Sequence, residues 1–186
     1  MLTLCFPINV WALQSNVPSE QEMRLLPPYC EAKVGKQRGN PEAKQYWSNI
    51  FGAANWKHMH HYCEGLNWLN RANRVFGDKQ TQAYNLNNAI NNFNYMLTHT
   101  ERNFSLRPEI LVNKGKALVL MKRGGEAAAE FSKAIAFKAD YAPAYISLGD
   151  YYLDAGNKKK ARATYEDGLK LNPGFKALQR RLDDIK

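Results

Sequence analysis

Apolar side chains recur every three or four positions through much of the chain, and this spacing is the period of an amphipathic helix. An apolar stripe that runs from Met59 to Phe76 predicts one long helix over residues 55–76. The same spacing predicts three further helices, over residues 41–53, 79–98 and 175–185. The pattern therefore predicts an all-α fold.

The two ends of the chain depart from this regular pattern. Residues 14–54 contain Pro27, Pro28 and Gly35 and are predicted to form an irregular N-terminal segment with a short helix. Residues 176–186 are predicted to form a helix that caps the end of an array. Its expected inward side chains are Phe175, Leu178, Leu182 and Ile185, and its expected outward ones are Lys176, Arg180, Arg181 and Asp184.

The C-terminal half of the chain repeats itself, because residues 108–141 align with residues 142–175 without a gap. Gly115 and Gly149 fall at the same place in the first helix of the two units, where glycine permits close approach of a neighbouring helix. In each second helix, a small residue, an aromatic residue and another small residue form one packing stripe. These stripes are Ala127, Phe131 and Ala134, and Ala161, Tyr165 and Gly168. Each unit is thus predicted to be a helical hairpin.

These two units resemble the tetratricopeptide repeat (TPR) family. The second unit keeps eight of the family's positions, which are Tyr145, Leu148, Gly149, Tyr152, Ala161, Tyr165, Gly168 and Pro173. The first unit departs from the pattern with Lys114, and with Ala139 where proline is usual. Residues 55–107 are interpreted as a degenerate third hairpin. The resemblance implies a solenoid of about three hairpins followed by the capping helix.

The resemblance also implies a concave groove lined by the first helices of the hairpins. Carrying over the family's groove positions gives Tyr62, Leu66, Leu69, Val112, Lys116, Val119, Ile146, Asp150 and Leu153. We expect Lys116 to be opposed by Asp150 and Asp154. The family's chaperone-binding members clamp a peptide's terminal carboxylate with Lys and Asn, and Lys116 alone does not make that clamp. The expected function is a protein–protein interaction scaffold, and the alternative is a groove filled by the protein's own N-terminal segment.

Residues 58–63, HMHHYC, are the candidate for metal chemistry. At about 100° per residue, a helix carries His58 and His61 to the packing side and His60 and Cys63 to another side. A metal site would then need His60, Cys63, Cys30 and a fourth ligand, and it is the minor alternative. The favoured hypothesis is a disulfide between Cys30 and Cys63 that fastens the proline-rich segment to the long helix. A reduced Cys63 in the interior is the other reading, and no metal or other cofactor is expected.

The charge distribution and the motifs of the chain argue against nucleic-acid binding and against an enzyme. The net charge of +9 suggests anionic partners, but the Lys and Arg residues are scattered and no RNA-binding signature accompanies them. We therefore expect a basic surface that favours solubility, without nucleic-acid binding. The chain has no Gly-rich phosphate loop, nucleophile elbow or activated cysteine, so an enzyme is not expected.

Residues 1–13 bear on localisation. They are mostly apolar and resemble part of a secretory signal, although no Lys or Arg precedes the apolar run and Pro7 interrupts it. The run is too short to span a membrane. The expectation is a periplasmic or otherwise exported protein that serves as a subunit of a larger assembly at the cell envelope. A cytoplasmic protein with a packed apolar N-terminus is the alternative.

Overall fold

The computed structural model describes residues 17–185, and ten α-helices lie in that part of the chain. Their bounds are α1 Glu20–Met23, α2 Pro28–Val34, α3 Pro41–Phe51, α4 Ala53–Arg74, α5 Lys79–His99, α6 Arg107–Leu120, α7 Gly124–Phe137, α8 Ala142–Asp154, α9 Lys158–Leu171 and α10 Lys176–Asp184. The all-α expectation is confirmed. The signal segment expected at residues 1–13 lies outside the described residues.

Three helical hairpins follow one another in the order α4–α5, α6–α7 and α8–α9. Their first helices form one layer, since α4 contacts α6 and α6 contacts α8, and α10 continues this layer against α8. The second helices α5, α7 and α9 each pack on their own first helix and on the helix that follows. This arrangement is the expected solenoid with a C-terminal cap.

The same contact closes each hairpin, between a glycine of the first helix and an aromatic ring of the second. A Cβ atom on the glycine would lie too close to a ring carbon in every case, at 2.8 Å for Gly65 and Phe93, 2.3 Å for Gly115 and Phe131, and 2.1 Å for Gly149 and Tyr165. The three rings are almost completely buried, so they have little room to turn aside. The missing side chain therefore sets how closely the two helices approach.

The N-terminal segment is more regular than the sequence analysis expected, because it contains two short helices before α3. Ser19 and Glu22 form a capping box at the start of α1, in which each side chain accepts a hydrogen bond from the other residue's backbone. Pro28 begins α2, where its missing N–H costs no hydrogen bond. The sequence analysis did not predict α1 and α2, because helices of one or two turns are too short to show a period.

Two predicted inward side chains lie at helix ends and are exposed instead. Helix α4 ends at Arg74, and Phe76 lies in the following loop with 90% of its surface exposed. Gly77 has a φ of 80°, a conformation that favours glycine and turns the chain toward α5. Phe175 precedes the first turn of α10 and is also exposed, whereas Leu178, Leu182 and Ile185 are buried. Periodicity places a residue on a face but does not show where the helix stops.

Substitution of Gly149 by Ala tests the close contact. We expect Gly149→Ala to lower the free energy of unfolding by about 1–3 kcal/mol, because the added methyl group overlaps the buried Tyr165 ring. Urea denaturation measures the change. Gly125→Ala, within α7, is the matched control because no atom lies within 4 Å of its added Cβ. The control should be neutral or stabilising by up to about 1 kcal/mol, and equal losses in the two variants would contradict the contact.

Candidate functional site

The N-terminal segment runs antiparallel along α4 and is fastened at three points. Glu22 accepts two hydrogen bonds from Arg71, with Nε–Oε1 at 2.6 Å and Nη2–Oε2 at 3.0 Å. Cys30 forms a disulfide with Cys63 farther back along α4. Lys33 donates to the carbonyl oxygen of Trp56 at 2.6 Å, near the start of α4. Residue numbers rise along the segment as they fall along α4, so the segment covers this helix over several turns.

The disulfide is the covalent member of these three contacts. The Cα atoms of Cys30 and Cys63 are 5.6 Å apart, and neither residue is exposed to solvent. Pro27 is extended and Pro28 starts α2, which brings Cys30 into the first helical turn. This is the pairing that the sequence analysis favoured over a reduced Cys63.

The disulfide removes Cys30 and Cys63 from the three candidate metal ligands. Zinc is bound by a cysteine thiolate, and a disulfide sulfur is not a thiolate. His60 lies half-buried beside α2, and burial lowers the pKa of its imidazole to about 4. Within residues 17–185, no group of three or more His, Cys, Asp or Glu side chains is placed to hold a metal ion. His60, Cys63 and Cys30 therefore do not form a metal site here.

The two other histidines of the HMHHYC stretch face α5. The Nδ1 atom of His61 lies 2.8 Å from Oδ1 of Asn92, and Nδ1 of His58 lies 3.3 Å from the hydroxyl of Tyr95. Both histidines are half-buried. They hold α4 against α5, as the packing interpretation expects.

The α4 end of the inner layer is closed by the protein's own Tyr29. The Tyr29 ring stacks on that of Tyr62 with a centroid separation of 6.4 Å. Tyr62 donates to Oε1 of Glu109 at 2.6 Å and accepts from Nδ2 of Asn113 at 3.0 Å. Burial raises the pKa of both phenols, and the negative charge of Glu109 raises them further. The hydroxyl of Tyr62 is thus hydrogen-bonded to α6, and its ring is covered by the protein's own N-terminal segment at this end.

The nine groove positions fall into three groups. Tyr62, Leu69 and Val112 are buried in the core, so they offer no surface to a partner. Leu66, Val119, Ile146 and Leu153 are half-buried, and Lys116 is exposed. Asp150 is also half-buried, but its carboxylate is engaged within the fold. The family positions lie on the first helices, but the family pattern does not tell an exposed position from a buried one.

The expected opposition of Lys116 to Asp150 was wrong, because Asp150 is held by the capping helix. Arg181 donates to both carboxylate oxygens of Asp150, at 2.6 and 2.9 Å. The hydroxyl of Tyr165 also donates to Oδ1 of Asp150, at 2.6 Å. Arg181 had been assigned to the outward face of the capping helix, and only the packing of α10 on α8 shows its role. Apart from Asp150, the groove positions on α6 and α8 that keep exposed surface are Lys116, Val119, Ile146 and Leu153, and we call these four residues the open groove.

Tyr29, Glu109 and Arg181 are the residues that the site analysis from sequence missed or misassigned. Glu109 occupies a groove position in the family pattern, but its carboxylate accepts a hydrogen bond from the hydroxyl of Tyr62. Nothing in the local sequence around Tyr29 reveals its partner, which lies 33 residues away in α4.

Among the described helices, none is long and apolar enough to cross a membrane.

Comparison with known proteins agrees with this geometry. Residues 142–175 match the sequence model of the tetratricopeptide repeat family. An Hsp70-Hsp90 organizing protein from Triticum aestivum is 36% identical over 74 residues, a match that covers 40% of the chain and only 13% of that relative. The fold resembles TTC0263, a thermophilic TPR protein in Thermus thermophilus, with a TM-score of 0.60 and 17% identity over 83% of this chain and 75% of that one.

A second solved structure, that of MamA, has a TM-score of 0.54 and 20% identity, and the match covers 81% of each chain. The layered hairpins with their glycine–aromatic contacts define a helical-repeat solenoid. The chain therefore contains a tetratricopeptide repeat at residues 142–175, and its helical hairpins have the fold of such repeats.

Removal of the disulfide tests the fastening of α2. We expect the double variant Cys30→Ala/Cys63→Ala to lose about 3–4 kcal/mol in free energy of unfolding, because the bond closes a loop whose ends are 33 residues apart. Urea denaturation with and without reductant gives the comparison. Reductant should bring the unaltered protein down to the double variant and leave the variant unchanged. Free thiols at Cys30 and Cys63 in the unreduced protein, found by alkylation and mass spectrometry, would refute the bond.

The ion pair between Glu22 and Arg71 predicts a pH dependence. Hydrogen bonding to Arg71 lowers the pKa of Glu22 from about 4.5 to about 2 in the folded state. A carboxyl whose folded pKa is lowered stabilises the fold above the unfolded pKa, and this contribution is lost as the pH falls from about 4.5 to about 2.

We expect Glu22→Gln to cost about 1–3 kcal/mol at pH 7, since the pair is largely buried. The difference from the unaltered protein should shrink at pH 3 and close near pH 2 in urea denaturation. Glu20→Gln is the control because its pair with Lys36 is solvated, and it should give little difference at any of these pH values. A Glu22→Gln deficit that does not change with pH would contradict the ion pair.

Proposed function

We propose that this protein is a non-enzymatic protein–protein interaction scaffold, and that its open groove binds a short segment of a partner protein. The observation that carries the proposal is the contrast along the inner layer. Tyr29 closes the α4 end, whereas half-buried apolar side chains on α6 and α8 remain at the surface, namely Val119, Ile146 and Leu153. Half-exposed apolar side chains beside a solvated charge are typical of a surface that becomes buried on binding.

The charge of the open groove supports a preference among partner segments. Lys116 is exposed and has no ion-pair partner within residues 17–185, since Asp150 is already bound to Arg181. An unpaired cation at the edge of an apolar surface favours a segment with aliphatic side chains and an acidic group nearby. Because two helices line the open groove, we expect the bound segment to be short.

The wheat relative supports a scaffold role in general terms, since its name describes a protein that organizes two others. The proposal does not extend to chaperone peptides. Those members of the family need a clamp of Lys and Asn, and Lys116 is the single cation that the open groove supplies.

We extend the proposal to the protein's setting, as an accessory or assembly subunit of a larger complex in an exported compartment, such as the cell envelope. The Cys30–Cys63 disulfide supports this setting, because such bonds form and persist in oxidising compartments. Fractionation of the native host with detection of the protein tests it, and recovery with reduced thiols in the cytoplasm would overturn it.

Site-specific cross-linking in the native host tests the open groove. A photo-reactive residue at position 116 should capture a partner protein, whereas the same residue at position 138, exposed after α7, should not. When Ile146→Ser and Leu153→Ser are added to the protein with the photo-reactive residue at position 116, capture of the partner should fall at least fivefold. The midpoint of thermal unfolding should stay close to that of the unaltered protein. If positions 116 and 138 capture the same proteins, or the substitutions leave capture unchanged, the open groove is not the interface.

A further inference from the structure

A concave surface lies between the N-terminal segment and the start of α4. It is a cavity of about 670 Å³ whose wall comes from the end of α2, the turn after it, α3 and α4. Lys33, Arg38, Lys44 and Lys57 bring four cationic side chains to this wall. We call it the basic cavity. It shares no residue with the open groove.

The charges around the basic cavity are strongly unbalanced. Glu64 is the single acidic residue in the wall, against four cations. His60 also lines the cavity, and burial together with neighbouring positive charge lowers its pKa to about 4, so it is neutral at pH 7. The wall therefore carries a net positive charge at pH 7, which attracts anions.

Three of the four cations have no hydrogen-bond or ion-pair partner in the described part of the chain. The side chains of Arg38, Lys44 and Lys57 are exposed and form no hydrogen bond or ion pair with residues 17–185. Lys33 donates to the Trp56 carbonyl oxygen and lies 4.7 Å from the centroid of the Trp56 ring. Burial and then the positive charges of Lys44 and Arg38 lower the pKa of Lys33, so these cations lie close enough to repel one another.

Residues 1–16 carry no acidic side chain. Val17, which follows them, contributes to the wall. Four cations around one space favour the binding of an anion from solution.

We propose that the basic cavity binds a small soluble anion that carries phosphate and at least two negative charges. Guanidinium and ammonium groups are the usual donors to phosphate oxygens, and the Ser48 hydroxyl adds a neutral donor to the wall. The cavity volume falls in the range of small-molecule sites, about 300–1,000 Å³. Ala32, Val34 and Trp56 give the wall an apolar part that an organic group attached to the phosphate would contact.

Calorimetry of the full chain with pyrophosphate tests the proposal. We expect saturable binding with a stoichiometry of one, weakened by salt. The triple variant Arg38→Gln/Lys44→Gln/Lys57→Gln should lose at least tenfold in affinity. The control Lys158→Gln/Lys159→Gln/Lys160→Gln removes the same charge from the exposed start of α9 and should lose less than twofold. Equal losses in both triple variants would show attraction to net charge and would overturn the site.

Two further experiments test where the anion binds and whether the phosphate belongs to a soluble molecule or to a lipid. Pyrophosphate should protect Lys44 and Lys57 from acetylation in site-resolved mass spectrometry and leave Lys158 and Lys159 unprotected. Vesicles of phosphatidylglycerol should not bind the protein in the presence of pyrophosphate. Absence of saturable pyrophosphate binding, or vesicle binding that pyrophosphate does not displace, would overturn the proposal of a soluble phosphate ligand. Circular dichroism of each variant confirms that the helices are retained.

Discussion

The attachment of α2 to α4 determines which surfaces of this protein remain available for binding. The Cys30–Cys63 disulfide lies fully buried between the two helices, with the Glu22–Arg71 ion pair on one side and the Lys33–Trp56 hydrogen bond on the other. These contacts bring Tyr29 onto Tyr62 and close one end of the inner layer. The same attachment forms a wall of the basic cavity, because Lys33 and Trp56 both line it.

The repeat region obeys a simpler constraint, which is the close approach of two helices at a glycine. That contact lies within one hairpin, and in the two C-terminal hairpins its partners are 16 residues apart in the sequence, as with Gly149 and Tyr165, or Gly115 and Phe131. Each hairpin then has to bury its outer faces on its neighbours. The capping helix α10 ends this succession by covering α8 and α9 and by satisfying the Asp150 carboxylate through Arg181.

Local and periodic features could be predicted from the sequence, whereas tertiary pairings could not. The 34-residue unit of residues 142–175 and the buried Tyr165 follow from spacing alone, since a helix repeats its faces at a fixed interval. The pairing of Arg181 with Asp150 joins residues 31 positions apart across two helices, and no pattern indicates it. Phe76 was assigned to a packing stripe because the end of α4 at Arg74 has no strong stop signal before Gly77. The burial of the groove position Tyr62 could not be predicted either, because it depends on Tyr29, which lies in the N-terminal segment outside the repeats.

The central claim is that the N-terminal segment is a fixed part of the inner layer and not a loose extension. Hydrogen–deuterium exchange of the full chain, with and without reductant, measures this most directly. In the oxidised protein, backbone amides of α2 should be protected nearly as well as those of the first half of α4. Reduction should raise exchange in these two helices and leave α6 to α9 unchanged. Fast exchange of α2 in the oxidised protein, or an increase spread evenly over all the helices, would contradict the claim.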